Sequence, residues 1–206
     1  MAEKTPILTV NKKGESYRLD RKRQIIDVAL KLFEQKGFKS TTIRDIAKEV
    51  GLTQGSLYYY FRSKEEILYE MIHDYLELIT KRIKIITAEK TTGSEKIRSM
   101  IKEIMRHMGQ SKAYITIFFK EKNLLPDNLL KKVIKKRDAI EQIVVDTLIE
   151  GMRSGEFKTI DPKMAAFAML GMCNWASQWF KEGGRLTVDE ISDIFTEVFL
   201  NGIIKK

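Results

Sequence analysis

The chain has 206 residues and a formal net charge of +9, with 43% hydrophobic and 32% charged residues, which is typical of a globular protein that buries a core. No stretch approaches the roughly 18 consecutive apolar residues of a membrane span, and the polar first 20 residues do not resemble a secretory signal. One cysteine excludes an internal disulfide, and two histidines are too few for a metal cluster. We therefore expect a cytoplasmic protein without a bound metal or cofactor.

The positive charge is concentrated at one end of the chain. Residues 1–64 hold 14 lysines and arginines against 7 acidic residues, whereas the remaining 142 residues are nearly neutral. A basic end on a neutral body favours binding of a polyanion by that end. A solvated, lysine-rich surface has the same composition, so charge alone does not identify the partner.

Apolar residues recur with a period close to 3.6, and the alternation typical of strands is absent. The sequence therefore predicts an all-α fold of about nine helices. Residues 1–20 show no periodicity and are expected to be a flexible basic arm. The first helix is predicted from about Arg21 to Lys36, where Gly37 ends it.

Two short helices are predicted next. The second helix begins after Thr41 or Thr42, either of which can cap it, and ends at Gly51. A third helix is expected over residues 53–60. Residues 63–66 then have the pattern of a capping box, with serine at the cap and glutamate three residues later, and open a long fourth helix.

Two short helices joined by a tight glycine turn are the geometry of a helix-turn-helix, in which one helix enters the major groove of DNA. Ala47 lets the helices approach and Gly51 permits the turn. Gly55 costs a helix about 1 kcal/mol relative to alanine, which makes sense where DNA approaches the backbone. The tyrosines at 58–60 cover too much of a helix to be all buried, although bracing of the three helices is an alternative role. We therefore predict a DNA-binding domain over residues 21–66.

Residues 67–206 are predicted to form a second helical domain, with a hinge at residues 91–94. Its further helices are expected at about Ile97 to Met108, Ala113 to Phe119, Leu125 to Arg153, Asp161 to Gly183 and Thr187 to Ile204.

The segment Val50 to Glu65 resembles the signature of the tetracycline-repressor (TetR) family of transcriptional regulators. Upstream residues match the same pattern: Ala29, Phe33, Gly37, Thr41, Thr42, Ile46 and Ala47. The resemblance rests on about a quarter of the chain. It implies a three-helix DNA-binding domain followed by an all-α domain for ligand binding and dimerisation. It also implies DNA contacts from Thr42, Thr53, Gln54, Gly55, Ser56, Tyr58, Tyr59, Tyr60 and Lys64.

Among these residues, the amide of Gln54 is suited to base reading, because it can form two hydrogen bonds with adenine. Lys64, in the first turn of the fourth helix, is expected to contact a phosphate. At the position of Tyr60 the commonest family residue is histidine, so this sequence departs from the pattern there.

The last two predicted helices are apolar over more than one face, which indicates either central core or contact with a second chain. The residues are Met164, Phe167, Ala168, Leu170, Gly171, Ile191, Ile194, Phe195, Val198 and Phe199. The resemblance implies that these two helices form a homodimer. A dimer would read a palindromic double-stranded DNA operator.

Flexible and aromatic apolar residues before and within the dimer helices suggest an effector cavity. The candidates are Met105, Met108, Phe118, Phe119, Met169, Met172, Cys173, Trp175 and Trp179, with Arg137, Asn174 and Gln178 as polar groups. Plain core packing is the alternative for each of them.

The segment Gly171 to Thr187 is similar to the C-terminal part of TetR-type regulators of fatty-acid and sterol degradation, whose effectors are acyl-CoA thioesters. The resemblance gives a role to the basic run Lys131, Lys132, Lys135, Lys136 and Arg137, which would pair with the phosphates of coenzyme A. A solvated helix face is the alternative role.

The sequence thus predicts a repressor of acyl-CoA degradation genes that long-chain acyl-CoA releases from its operator. A repressor of the same fold that answers to another hydrophobic ligand, such as a cationic drug, is the alternative. It is disfavoured because residues 113–119 and 164–180 contain almost no carboxylates. A ligand-independent DNA-binding protein is a further alternative. An enzyme is disfavoured, because the chain has no P-loop, nucleophile elbow or paired-histidine metal motif.

Overall fold

The computed structural model describes residues 12–110 and 124–205, which form helices without a sheet and confirm the all-α fold. The described helices are α1 (Lys12–Lys36), α2 (Ile43–Val50), α3 (Gln54–Tyr58), α4 (Lys64–Ala88), α5 (Gly93–Gln110), α6 (Asp127–Arg153), α7 (Pro162–Trp179) and α8 (Val188–Ile203). The helix expected around residues 113–119 lies outside the described residues. None of the described helices combines the length and apolarity needed to cross a bilayer.

The chain divides into two units, Met1–Ile67 and Leu68–Lys206. Helix α4 begins in the first unit and continues into the second.

Helix α1 begins at Lys12, well before the predicted start at Arg21. The part of the expected flexible arm from Lys12 onward is therefore helical. It is rich in lysine, arginine and glutamate, which favour helices, but Tyr17 and Leu19 are each 66% exposed. Because the prediction depended on a buried apolar stripe, a helical segment exposed to solvent gave it no signal.

The first unit is held together by the apolar faces that the sequence predicted for its three helices. Ile25 of α1, Ile46 of α2 and Leu57 of α3 have no exposed surface. The rings of Phe33 and Phe38 meet edge to face, with centroids 4.8 Å apart. This small core fixes the direction in which α3 leaves the turn.

Threonine caps and a left-handed glycine set the turn between α2 and α3. Thr42 Oγ1 accepts the N–H of Asp45 at 3.1 Å, and the Asp45 carboxylate accepts the N–H of Thr42 at 2.9 Å and its hydroxyl at 2.8 Å. Gly51 has a φ of 73°, which favours glycine. Thr53 Oγ1 accepts the N–H of Ser56 at 3.1 Å. The helix-turn-helix geometry therefore follows from local interactions.

The start of α4 differs in one respect from the predicted capping box. Ser63 Oγ accepts the N–H of Glu66 at 3.2 Å, as expected. The Glu66 carboxylate, however, accepts the N–H of Arg62 at 2.6 Å. Glu66 therefore fixes the residue before the cap.

In the second unit α5 packs against α6, α7 and α8. Apolar periodicity in the sequence predicts an inward stripe on α5, and its residues are buried, with at most 4% of each side chain exposed: Ile97, Ile101, Ile104 and Met108. The same periodicity predicts the inward residues of α4 in this unit, which are also buried apart from the half-buried Tyr75: Met71, Leu76, Ile79 and Ile83.

The loop after α6 ties three parts of the second unit together. The Glu156 carboxylate accepts the N–H groups of Gly93 and Ser94 at 2.8 Å each and so caps the start of α5. Phe157 is 2% exposed and lies directly against Gly151, where a Cβ atom would overlap its ring. Lys158 N–H donates to the carbonyl of Ile203 at 2.7 Å, which joins this loop to the end of α8.

Candidate DNA-binding surface and effector cavity

The start of α3 presents a small polar surface in the first unit. Gln54, Gly55 and Ser56 are exposed, and a Cβ atom on Gly55 would meet nothing closer than Thr53 Oγ1 at 3.9 Å. The hydroxyl groups of Thr53 and Ser56 hydrogen-bond each other at 2.8 Å. The surface therefore combines an amide, two hydroxyl groups and open backbone.

The three consecutive tyrosines have different environments. Helix α3 ends at Tyr58, so Tyr59 and Tyr60, which were expected within this helix, lie beyond its end. Tyr59 is 67% exposed and Tyr58 is 47% exposed, whereas Tyr60 is partly buried with its ring centroid 5.2 Å from that of Tyr59. The guanidinium of Arg18 in α1 lies 5.3 Å from the Tyr59 ring centroid. This contact was not predicted from the sequence, because the predicted start of α1 was Arg21, three residues after Arg18.

Lys64, expected to contact a phosphate, anchors the backbone of its own unit. Its Nζ donates to the carbonyl oxygens of Phe38, Lys39 and Thr41 at 2.8, 3.2 and 3.1 Å, and lies 4.6 Å from the Phe38 ring centroid. An ammonium group has three N–H donors. All three are used within this unit, which favours an internal anchoring role for Lys64 over the expected phosphate contact.

A cavity of about 460 Å³ lies in the second unit, lined by α4, α5, α6 and α7. Its wall is mostly aliphatic and aromatic: Ile72, Leu76, Ile79, Ile104, Ile134, Ile140, Phe167, Leu170 and Gly171. The groups with polar atoms are Tyr75, Arg137, Asp138, Glu141 and Asn174. Sites for small molecules span about 300–1,000 Å³ and share this mixture. The cavity therefore suits a ligand with an apolar body and a polar end.

Of the twelve residues that the sequence suggested for the ligand site, Arg137 and Asn174 line this cavity. Met105, Met108, Met169 and Cys173 are core residues with at most 1% exposure. Trp175, Gln178 and Trp179 are exposed, Met172 is partly buried, and none of these four belongs to the wall. Phe118 and Phe119 lie outside the described residues.

The cavity residues that sequence reasoning missed come largely from α4. Leu76 and Ile79 were expected to face inward, and they are buried, as is Ile72, but the interior that these three residues face is partly open. Apolar periodicity identifies a buried face without showing whether neighbouring side chains fill the space beside it.

Two carboxylates stand on the cavity wall, which was expected to be almost free of them. Asp138 and Glu141 lie on α6 together with Arg137. Glu141 Oε1 is 3.6 Å from Lys163 Nζ of α7. The sequence prediction placed the cavity in residues 113–119 and 164–180 and assigned only the cations of α6 to the ligand site. The carboxylates of α6 were therefore not expected on the wall.

Two lysines of the basic run on α6 are engaged with α4. Lys136 Nζ donates to both carboxylate oxygens of Glu77 at 2.9 and 3.0 Å, and this hydrogen-bonded ion pair holds the pKa of Glu77 below its ordinary value. Lys132 Nζ lies 5.7 Å from the ring centroid of Tyr69. The structure therefore gives Lys132 and Lys136 partners other than an external phosphate.

The other two lysines are exposed and form no ion pair with any residue that the structure describes. Lys131 precedes Ile134 by three residues and Asp138 by seven, and Lys135 precedes Asp138 by three. These spacings place neighbours on one helix surface. Lys131 and Lys135 therefore stand beside the cavity-lining face of α6.

Large apolar side chains are exposed on α7 and α8. Their exposed fractions are 54% for Met164, 45% for Phe167, 68% for Trp175, 46% for Trp179, 45% for Ile194 and 61% for Val198. The rings of Trp179 and Phe195 meet edge to face at 6.4 Å and join the two helices. An apolar surface of this kind marks an interaction site. The two tryptophans expected in the ligand site belong to this surface.

Cys173 is buried in the second unit, and Tyr75 is partly buried on the cavity wall. Burial raises the pKa of the Cys173 thiol to about 12. Burial, with a smaller effect of Cys173, also raises the pKa of Tyr75 above its ordinary value. At neutral pH the Tyr75 hydroxyl is therefore a neutral hydrogen-bonding group on the cavity wall, and the thiol is unreactive.

Residues 25–71 match the model of the bacterial regulatory proteins of the tetR family. Residues 90–203, more than half of the chain, match the model of the tetracyclin repressor-like C-terminal domain. The chain belongs to the TetR family. This TetR-family protein is therefore a DNA-binding regulator of transcription and not an enzyme.

Three similar proteins illustrate the range of the family. The transcriptional repressor KstR2 of Mycolicibacterium smegmatis is 28% identical over 185 residues, which cover 89% of this chain and 90% of that one. The fatty acid metabolism regulator protein of Bacillus subtilis is 25% identical, with 89% and 95% covered. The crystal structure of AibR with isovaleryl coenzyme A and operator DNA superposes with a TM-score of 0.78 at 22% identity, with 86% and 97% covered.

Proposed function

We propose that this TetR-family protein is a repressor that binds a palindromic operator as a homodimer and releases it when an acyl-CoA enters the cavity of the second unit. The observation that carries the effector half of the proposal is the largely apolar cavity with Arg137 on its wall and Lys131 and Lys135 beside it. We assign residues 21–66 to DNA binding and residues 67–206 to effector binding and dimerisation.

The proposed DNA contacts come from the exposed start of α3. Gln54 reads a base, and the open backbone at Gly55 lets the groove approach. The remaining contacts come from Thr42, Thr53, Ser56, Tyr58 and Tyr59, all exposed. Tyr60 is partly buried against Tyr59 and braces it.

The proposed dimer interface is the exposed apolar surface of α7 and α8. A single helix-turn-helix reads only a few base pairs, whereas two of them at a spacing of about 34–36 Å read successive major grooves. Trp175 and Val198 are the most exposed large apolar residues of this surface. Large aromatic side chains contribute strongly to binding when an interface covers them.

The acyl chain is proposed to occupy the apolar part of the cavity, with the thioester near Arg137 and Asn174. The phosphates of coenzyme A then lie outside, within reach of Lys131 and Lys135. The names of two relatives support this ligand class, since one is a fatty acid metabolism regulator and another was crystallised with isovaleryl coenzyme A.

Helix α4 is the proposed route from ligand to DNA. It begins with Lys64, which is bonded to the turn between α1 and α2, and continues to the cavity residues Ile72, Leu76 and Ile79. A ligand that binds one position of α4 better than another changes the population of the DNA-binding state. A ligand with equal affinity for both positions would not release DNA.

A titration tests the effector claim. The full-length protein is bound to a fluorescent operator, and decanoyl-, palmitoyl- or isovaleryl-CoA is added while anisotropy is recorded. At least one thioester is expected to release the DNA at micromolar concentration. The effector claim fails if none releases DNA at concentrations where calorimetry shows acyl-CoA bound.

Variants with matched controls assign the binding groups. R137Q and the double variant K131Q/K135Q are each expected to weaken acyl-CoA binding about tenfold or more, since a charged hydrogen bond contributes about 1.5–3 kcal/mol. R153Q, on the exposed end of the same helix, serves as the control for R137Q. Equal affinities of R137Q and R153Q for acyl-CoA would show that Arg137 does not contact the ligand.

Asp138 and Glu141 favour a second candidate, a hydrophobic cation, because carboxylates on an apolar wall attract positive charge. Glu141 already has Lys163 within 3.6 Å, which partly offsets this attraction. Thermal-shift assays with tetraphenylphosphonium and with acyl-CoA separate the two candidates. Stabilisation by the cation that D138N abolishes, without stabilisation by any acyl-CoA, would favour the second.

A further inference from the structure

One turn of α4 carries three side chains with metal-ligating atoms, in the part of the helix that belongs to the second unit. Glu70, His73 and Asp74 stand at positions i, i+3 and i+4, and one ligand atom from each lies within 4.8 Å of the others. Glu70 and His73 are partly buried and Asp74 is exposed. The group thus sits at the surface with one side open to solvent.

The ring of His73 is oriented towards this group. Its Nδ1 is buried and has no hydrogen-bond partner among the described residues, and Asp74 Oδ1 lies 3.6 Å away. That separation is too long for a hydrogen bond. A buried polar atom without a protein partner is uncommon in native proteins, where a bound water or ion commonly satisfies it.

His107, the other histidine of the chain, makes a useful contrast. Its Nε2 lies 3.1 Å from Glu103 Oε1, so its ring nitrogen has a protein partner. Both histidines lie on helices next to carboxylates, but only His73 keeps a buried nitrogen unpaired. Sequence spacing alone treats the two alike.

The donor set and its dimensions fit a divalent transition-metal ion. Zn²⁺ binds histidine nitrogen and carboxylate oxygen at about 2.0–2.2 Å, so two donors on a tetrahedral ion are roughly 3.4 Å apart. The separation of His73 Nδ1 from Asp74 Oδ1, 3.6 Å, is close to that value. Rotation of the carboxylates of Glu70 and Asp74 brings the remaining donors into range, and water completes the coordination.

Among the described residues, the neighbouring lysines of α6 are engaged with other groups. Lys132 Nζ lies over the Tyr69 ring, whose centroid is 5.7 Å from that of His73, and Lys136 is bonded to Glu77. The carboxylates of Glu70 and Asp74 therefore keep a negative field around the unpaired nitrogen. We propose that Glu70, His73 and Asp74 form a binding site for a divalent transition-metal ion, best matched by Zn²⁺.

Metal binding to the full-length, tag-free protein tests this proposal. After treatment with a chelator, the protein is titrated with Zn²⁺ against a chromophoric indicator and, separately, with Co²⁺ while the visible d–d absorption is recorded. One Zn²⁺ per chain is expected, and Co²⁺ should give bands of a site with fewer than six ligands. H73A is expected to weaken Zn²⁺ binding at least tenfold, and E70Q/D74N to do the same.

H107Q is the matched control for the loss of a histidine and is expected to keep the metal affinity of the parent protein. Circular dichroism and thermal unfolding without metal identify variants that fail to fold; if H73A is one of them, H73Q replaces it. The proposal is overturned if Zn²⁺ binding is not saturable, or if H73A or H73Q binds Zn²⁺ as tightly as the parent.

Discussion

Three backbone carbonyls converge on the ammonium group of Lys64, and a phenyl ring lies beneath it. Hydrogen bonds between a charged donor and backbone in a partly buried site contribute more than surface ion pairs do. We therefore expect this side chain to stabilise the DNA-binding unit and not to contact DNA.

K64M is expected to lower the unfolding free energy by about 1.5–3 kcal/mol, because it removes a charged donor from three acceptors. The salt dependence of operator binding should stay unchanged, since no phosphate contact is lost. Thermal unfolding and the slope of log affinity against log salt measure the two effects, with the exposed K31Q as control. A slope reduced by about one unit in K64M would show instead that Lys64 contacts a phosphate.

The buried thiol of Cys173 predicts a pH effect on stability. Folding raises its pKa to about 12, so the folded protein holds this proton more tightly than the unfolded chain does. The contribution of this proton to the unfolding free energy is therefore complete below the pKa of the unfolded thiol, near 9. It is lost as the pH rises towards the folded pKa of about 12. Denaturant unfolding measures how the unfolding free energy falls between pH 9 and 10. In the parent protein this fall should be steeper than in C173A, by up to about 1.4 kcal/mol per pH unit. Identical slopes would contradict the burial of the thiol.

At the scale of helices, much of this molecule follows from local chemistry. Thr42 caps the start of α2, and Gly51 ends it in a left-handed conformation. Because both signals are local, the bounds of this helix could be predicted from the sequence. The cavity could not, because Ile72 and Ile134 on its wall have the same apolar periodicity as packed core residues. Periodicity tells which face is buried, but the volume left between four helices depends on all of their side chains together.

The close contact of Phe157 with Gly151 leads to a stability prediction for α6. G151A is expected to destabilise the second unit by about 1–3 kcal/mol or more, because the added methyl group overlaps the buried ring and the packed surroundings must shift. Thermal denaturation of G202A provides the contrast. Gly202 in α8 has open space around it, so alanine should stabilise that helix by up to about 1 kcal/mol. Equal effects of the two changes would contradict the packing described here.

For the molecule as a whole, the exposed apolar surface of α7 and α8 is the proposed dimer interface. V198E places a charge in the proposed interface and is expected to raise the dimer dissociation constant at least a hundredfold, because a buried unpaired charge is costly. I85E is the matched control, because Ile85 of α4 is also an exposed β-branched residue, with 52% of its surface exposed against 61% for Val198. This change should leave the dimer intact. Size-exclusion chromatography with light scattering gives both masses; a dimeric V198E at micromolar concentration would place the interface elsewhere.

The central claim is that two α3 helices, held at a fixed spacing by the second unit, read an operator until a ligand enters the cavity. Selection of bound DNA from a random pool, with and without palmitoyl-CoA, tests it most directly. We expect selection without the thioester to recover an inverted repeat whose half-sites are one helical turn of DNA, or a multiple of it, apart. The same repeat should be depleted when palmitoyl-CoA is present. Enrichment of no inverted repeat, or equal recovery under both conditions, would contradict it.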